Sequence, residues 1–289
     1  MFKLAFFYVR VYAFFGYYRK KARREEMERK FRSFLGERWN PGKGKKIVRH
    51  VFELRGTRKV MHYLIPLVDR AFIKRFVEIE GIHFLDEAIK KGRGVVLMGG
   101  HFGLSHLSFH SLKVMGYDWL LIKGGAPKNR GHRRFRYSEN VNDTIFIYDR
   151  SLAGDYRKRI LETLRSGRII IYYGDTREGK WKERVHFLGK EVDFPAGVIH
   201  LAHETKASII PFIHLYWRGK ITMIFKEPID HGWKEEAGYR RIVSEYAKIV
   251  ETYLLLSPEQ YMGIYGPTVI ESYYRSCVNG TVPSKEGEK

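Results

Sequence analysis

Five short runs of β-branched and aromatic residues recur through the middle of the chain, and they limit its fold more than any other feature. They are GVVLMGG (94–100), DWLLIK (118–123), TIFIYD (144–149), RIIIYYGD (168–175) and SIIPFIHLY (208–216). Runs of this kind, apolar at nearly every position, read as strands buried on both faces. Helical patterns separate them: in DYRKRILETLRSG, residues Ile160, Leu161 and Leu164 mark one face and Gly167 a C-terminal stop. The alternation predicts an α/β fold, a largely parallel mixed sheet flanked by helices. HLYWRGKITMIFKEPI adds a hairpin that turns near Arg218 and Gly219. YRRIVSEYAKIVETYLLL reads as one long amphipathic helix through Ile242, Val243, Tyr246, Ile249, Val250 and Tyr253.

The N-terminus has a different character. Residues 2–18, FKLAFFYVRVYAFFGYY, are apolar and aromatic except for Lys3 and Arg10, and run straight into RKKARREEMERK. That pattern suits a membrane face, as a tilted single span or a helix lying in the interface; an ordinary core helix is the alternative, against which the aromatic density and the adjoining basic cluster argue. The basic cluster from Arg19 to Arg24 would hold that end at an anionic cytoplasmic leaflet. No small-residue cleavage site follows, so a secretory signal is not expected. The organisation expected is a membrane-anchoring helix with its basic segment over 1–45, one main domain over 46–276, and a disordered tail over 277–289. Charge points the same way: 53 Lys and Arg against 32 Asp and Glu give a net +21, a surface that attracts polyanions. A nucleic-acid binder fits the charge alone, but no helix-turn-helix, zinc-finger or RRM signature is present, and the apolar N-terminus serves no purpose in one. The single cysteine, Cys277, rules out an internal disulfide or a cysteine-rich zinc site.

The stretch GGHFGLSH (99–106) places His101 just beyond the end of a predicted strand, where open parallel sheets bind ligands. Gly99, Gly100 and Gly103 permit close approach to backbone there. A histidine so placed can take a proton from an alcohol if a second group fixes its tautomer. His106 and His110 stand four apart and would share a helix face, as zinc ligands do, but Leu107 replaces the Glu that a hydrolytic HExxH motif needs. No metal is expected. No G-x-S-x-G nucleophile elbow occurs, which argues against a covalent acyl-enzyme.

Three blocks carry a resemblance. VEIEGIHFLDEAIKKGRGVVLMGGHFGLSH resembles the first block of the lipid A biosynthesis acyltransferases, within the lysophospholipid and glycerol-phosphate acyltransferase superfamily. LRSGRIIIYYGDTREGKWKERVHFLGKEVDFPAGVIHLAHETKASIIPFI is similar to the second, and LLLSPEQYMGIY to the C-terminal helix end. The resemblance implies an O-acyltransferase that moves a fatty acyl group from a thioester, on acyl carrier protein or coenzyme A, to a hydroxyl of a glycolipid or phospholipid. It implies no metal or organic cofactor, and a place on the cytoplasmic face of a bacterial inner membrane with anionic lipid as a partner. His101 takes the general-base position. The acidic partner of the family pattern falls on His106, and there the pattern breaks. A neutral imidazole offers one acceptor and no counter-charge. Three readings stay open: His106 accepts from His101 as a weaker partner; a carboxylate elsewhere, Asp175, Asp149 or Glu139, fills the role; or the protein binds lipid without turning it over. Arg177, beside Asp175 in GDTRE, is positioned to meet an acceptor phosphate. Arg130, Arg133, Arg134 and Arg136 in KGGAPKNRGHRRFRYSEN form an electrostatic docking surface for an acidic carrier or head group. Gly103 serves substrate approach, and Phe187 and Gly189 shape an acyl pocket or a sheet edge.

Overall fold

The computed structural model of the chain describes residues 2–124, 144–147, 155–177, 179–233, 238–265, 268–270 and 273. Its centre is a seven-stranded sheet built from β1 (Val77–Glu80), β2 (Val95–Gly99), β3 (Trp119–Lys123), β4 (Thr144–Phe146), β5 (Ile169–Tyr173), β8 (Ser208–Trp217) and β9 (Lys220–Phe225). The strand order is β1-β9-β8-β2-β5-β3-β4, parallel throughout except where β8 meets β9. A separate hairpin pairs β6 (Lys182–Phe187) with β7 (Lys190–Pro195). Each of the five apolar runs supplies a strand: β2, β3 and β5 stop short of their runs, and β8 extends through Trp217, one residue past its run. Both turn residues of the β8–β9 hairpin, Arg218 and Gly219, have positive φ (48° and 86°), the backbone that joins two twisted strands most directly.

Burial on both faces follows from the period of two. Val95, Leu97, Ile169, Ile171, Ile210 and Phe212 face one side, and Val96, Met98, Ile170, Tyr172, Ile209 and Ile213 the other. The first side is covered by α4 (Arg70–Phe76), α5 (Ile82–Lys90) and α6 (Ser105–Val114), through Phe72, Leu85, Leu107 and Leu112. On the second lie α7 (Tyr156–Arg165), α8 (Gly197–Thr205), α9 (Gly238–Leu256) and the β6–β7 hairpin. Asp155 caps α7 by accepting from Lys158 N, and Gly167, at φ 76°, follows its end.

Three helices precede α4: α1 (Phe2–Arg19), α2 (Lys21–Leu35) and α3 (Pro41–Leu64). Asn40 caps α3, accepting from the amides of Gly42 and Lys43, and Pro41 supplies the preset first-turn backbone. α3 runs through residue 45, and α1 lies along it. The buried stripe of α1 is Phe6, Val9, Ala13 and Tyr17, and Gly56 of α3 leaves room for Val9: a Cβ there would come 3.1 Å from Val9 Cγ1. Arg10, which interrupts the apolar run, pairs with Glu53 of α3 at 3.4 Å. The opposite face of α1 exposes Leu4, Phe7, Tyr8, Tyr12, Phe15 and Tyr18. No helix among the described residues is long and apolar enough to cross a membrane. The tail expected over 277–289 lies outside the described residues.

Candidate active site

Strand register brings the two principal groups together. β2 and β5 are parallel neighbours with Gly99 opposite Tyr173, so two residues further along each strand His101 meets Asp175 at the carboxyl edge of the sheet. Gly174 keeps the strands together past their ends, donating its amide to Gly99 O at 2.9 Å, and a side chain there would strike Met98 and Tyr246. His101 Nδ1 lies 2.7 Å from Asp175 Oδ1, and the His101 amide donates to Oδ2 at 2.9 Å. Tyr261 completes the set by donating its hydroxyl to Oδ2 at 2.8 Å.

The loop bearing His101 is clamped from the C-terminal side. Met262 N and Gly263 N donate to His101 O (2.6 and 3.2 Å), Gly103 N donates to Gln260 O (2.8 Å), and Phe102 bridges Tyr261. The Tyr173 ring stacks under the imidazole, 4.4 Å between centroids and 18° from parallel. Asp175 is fully buried while His101 keeps about a third of its side chain exposed. Burial pushes the Asp175 carboxyl up, but the charge of His101, hydrogen bonds from its ring and amide, and the Tyr261 hydroxyl together outweigh it and hold the group below the usual carboxylate range. The stability this lends is present at neutral pH and is lost on acidification through that lowered value. Burial lifts the Tyr173 hydroxyl to about 12 and drops the fully buried His214, on β8 beneath the loop, to about 3, so both are neutral near pH 7. An ionised carboxylate therefore fixes the Nδ1–H tautomer of His101 and leaves Nε2 as the basic nitrogen.

That nitrogen belongs to a ring lining a cavity of about 920 Å³. Part of its lining is aromatic and imidazole-rich: His200 packs between Trp181 (4.3 Å) and Tyr239 (3.9 Å), and the Tyr239 hydroxyl meets His203 Nδ1 at 2.6 Å. α6 begins at Ser105, and Ser105 and His106 line the cavity, which brings the positive end of that helix to the site.

Other residues expected from the sequence fall in different places. Asp175, one of three carboxylates considered, stands on the His101 ring; His106 does not, and its Nε2 lies 3.4 Å from Arg58 Nη2 of α3. Gly103 lines the cavity, but its close approach is to protein: at φ 42°, a Cβ would sit 2.5 Å from His214 O. Phe187 is fully buried against Phe194 in the core, because strand alternation turns it inward, and Gly189 lies in the β6–β7 turn at φ 78°. The structure thus brings neither Phe187 nor Gly189 to the cavity as an acyl-pocket residue. Arg177 is exposed, with its neighbour Thr176 on the cavity wall. Arg130, Arg133, Arg134 and Arg136, like Glu139 and Asp149, lie outside the described residues. Among the described residues no group of three or more His, Cys, Asp or Glu could hold a metal ion. The sequence pattern does not single out Tyr173, Tyr261 or Arg58 as site residues, although Tyr173 directly precedes the GD of RIIIYYGD and Tyr261 lies within PEQYMGIY.

The sequence matches the family model of the bacterial lipid A biosynthesis acyltransferases over residues 3–265. No curated protein matches it significantly.

Proposed function

The chain belongs to the bacterial lipid A biosynthesis acyltransferases, and from that premise we propose that His101 is the general base of acyl transfer from a thioester to a lipid hydroxyl, oriented and polarised by Asp175. The acceptor O–H gives its proton to His101 Nε2 as its oxygen attacks the thioester carbonyl. Asp175 stabilises the imidazolium that forms, and the start of α6 favours the developing oxyanion. The tetrahedral intermediate collapses, the C–S bond breaks, and the departing thiolate takes the proton back from Nε2. An ester and a free thiol result. One observation carries this reading: the 2.7 Å contact between His101 Nδ1 and a buried carboxylate, with the ring open to a cavity large enough for an acyl chain. The donor we assign is acyl carrier protein or coenzyme A thioester. The test is conversion of acyl thioester and membrane lipid into thiol and acylated lipid. Wild type is expected to turn over and His101→Ala to fall by about 10³-fold; wild type giving neither product would sink the proposal and favour a lipid-binding relative.

Tyr261→Phe provides a finer check. Removing its hydroxyl leaves Asp175 with fewer donors and more negative charge to stabilise the His101 imidazolium, so the dyad holds its proton to higher pH. The acid limb of the pH–rate profile is expected to move up by about half a unit, and an unmoved limb would remove Asp175 from the proton-transfer step.

The setting we propose is the cytoplasmic face of the inner membrane, with α1 lying in the interface. Its stripe from Phe6 to Tyr17 is occupied by the protein body, which leaves only the opposite aromatic face for lipid, and Arg19, Lys20 and Lys21 at its end are exposed to anionic head groups. Phe7→Glu with Phe15→Glu is expected to weaken sedimentation with anionic vesicles by about tenfold or more. Undiminished binding would place the membrane contact elsewhere.

A further inference from the structure

We propose that Arg58 and His106 form a binding site for a phosphate ester of a substrate, beside His101. The inference rests on the acyl-transfer reading for its setting and goes beyond it in naming a recognised group. Position 106 is where the resembling family pattern carries an acid. With Asp175 holding His101, nothing in the orientation of the base requires a carboxylate at 106.

What stands there changes the charge of the site. Arg58 reaches in from α3 and His106 from the first turn of α6, and both line the same cavity as His101. A carboxylate within 3.4 Å of the guanidinium would form a forked ion pair and cancel its charge. An imidazole nitrogen in that place can accept one N–H at most, leaving the full positive charge and further donors of the fork. Among the described residues, no carboxylate is ion-paired with Arg58. The guanidinium also acts on the reacting end of the cavity: burial lifts the hydroxyl of Tyr173, the ring beneath His101, and Ser105 and the Arg58 charge pull it partly back. A guanidinium, an imidazole and a helix start lining one cavity suit a tetrahedral oxyanion. Two substrate sources carry that chemistry, the phosphodiester of a phosphopantetheine arm and a phosphorylated lipid head group.

The experiment is calorimetric titration of the full chain in detergent with inorganic phosphate and with glycerol 3-phosphate, using wild type, Arg58→Gln, Arg58→Lys and His106→Glu. Wild type is expected to bind, Arg58→Gln and His106→Glu to bind at least about tenfold more weakly, and Arg58→Lys to retain part of the affinity. His106→Glu should act by occupying the guanidinium. Thermal unfolding confirms that each variant is folded, and Arg58→Gln alone, at an exposed position, suffices if His106→Glu is not. No phosphate binding by wild type, or equal binding by Arg58→Gln, overturns the proposal. KM values then identify the source. Arg58→Gln is expected to raise KM for 4′-phosphopantetheine over pantetheine thioesters if the donor is read, or for untreated over phosphatase-treated lipid if the acceptor is read. Phosphate binding through Arg58 without acyl transfer would leave this site standing and remove the catalytic proposal. Acyl transfer with phosphate binding indifferent to Arg58 would do the reverse.

Discussion

Asp175→Asn is expected to lower turnover by about 10³-fold while leaving the fold intact. The reason lies in which atoms face which. Oδ1 faces the His101 ring nitrogen, and Oδ2 accepts from both the His101 amide and the Tyr261 hydroxyl. An amide group has one acceptor oxygen, so it can satisfy only one of these two sides. With its oxygen toward the amide and Tyr261, its NH2 faces Nδ1, which must then accept, and the proton moves to Nε2, where no base remains. With its oxygen toward the ring, its NH2 points at the backbone donor and the counter-charge for the imidazolium is still missing. Either arrangement removes the base or its support. Comparing kcat with wild type, alongside circular dichroism of both proteins, checks this; a loss of less than about tenfold would mean that another group orients and polarises His101.

The second large effect concerns stability. Gly103→Ala is expected to cost about 3 kcal/mol, measured as the shift in urea midpoint multiplied by the slope. At φ 42° an added Cβ is strained in itself, and here it would also press on the His214 carbonyl, which is backbone of the buried strand β8 and cannot turn away as a side chain can. Relief requires shifting the loop off the sheet, which also pulls His101 from Asp175. Activity and stability should therefore fall together. A stability change below about 0.5 kcal/mol, the range of ordinary surface substitutions, would show that the loop is not packed tightly against β8.

Much of this architecture is readable because the central strands are buried on both faces, where β-branched residues accumulate and periodicity leaves little choice. β1 is harder. VEIE alternates apolar and acidic residues at a sheet edge, has only four positions and resembles a helix start as much as a strand. α3 carries its buried residues at helical spacing, Val48, Val51 and Phe52, yet a basic, glycine-containing sequence around them obscures the stripe. The active-site histidine is legible from its place after a strand. Its partner is legible only as one of several candidates, because Asp175 is 74 positions away and meets His101 only through the register of β2 with β5. The family pattern points to position 106 as another candidate, and the first turn of α6 presents that residue to Arg58. Tyr261 is further still, brought in by a backbone clamp that no local pattern records.

The most direct test of the central claim, that His101 and Asp175 act as one unit, is a double-mutant cycle on kcat with His101→Ala, Asp175→Asn and the pair together. If Asp175 works through the imidazole, its replacement has nothing left to remove once the ring is gone, and the double variant is expected to match His101→Ala within about twofold. Losses that multiply, so that the double variant falls by the product of the two single effects, would contradict the account and give Asp175 a task apart from His101.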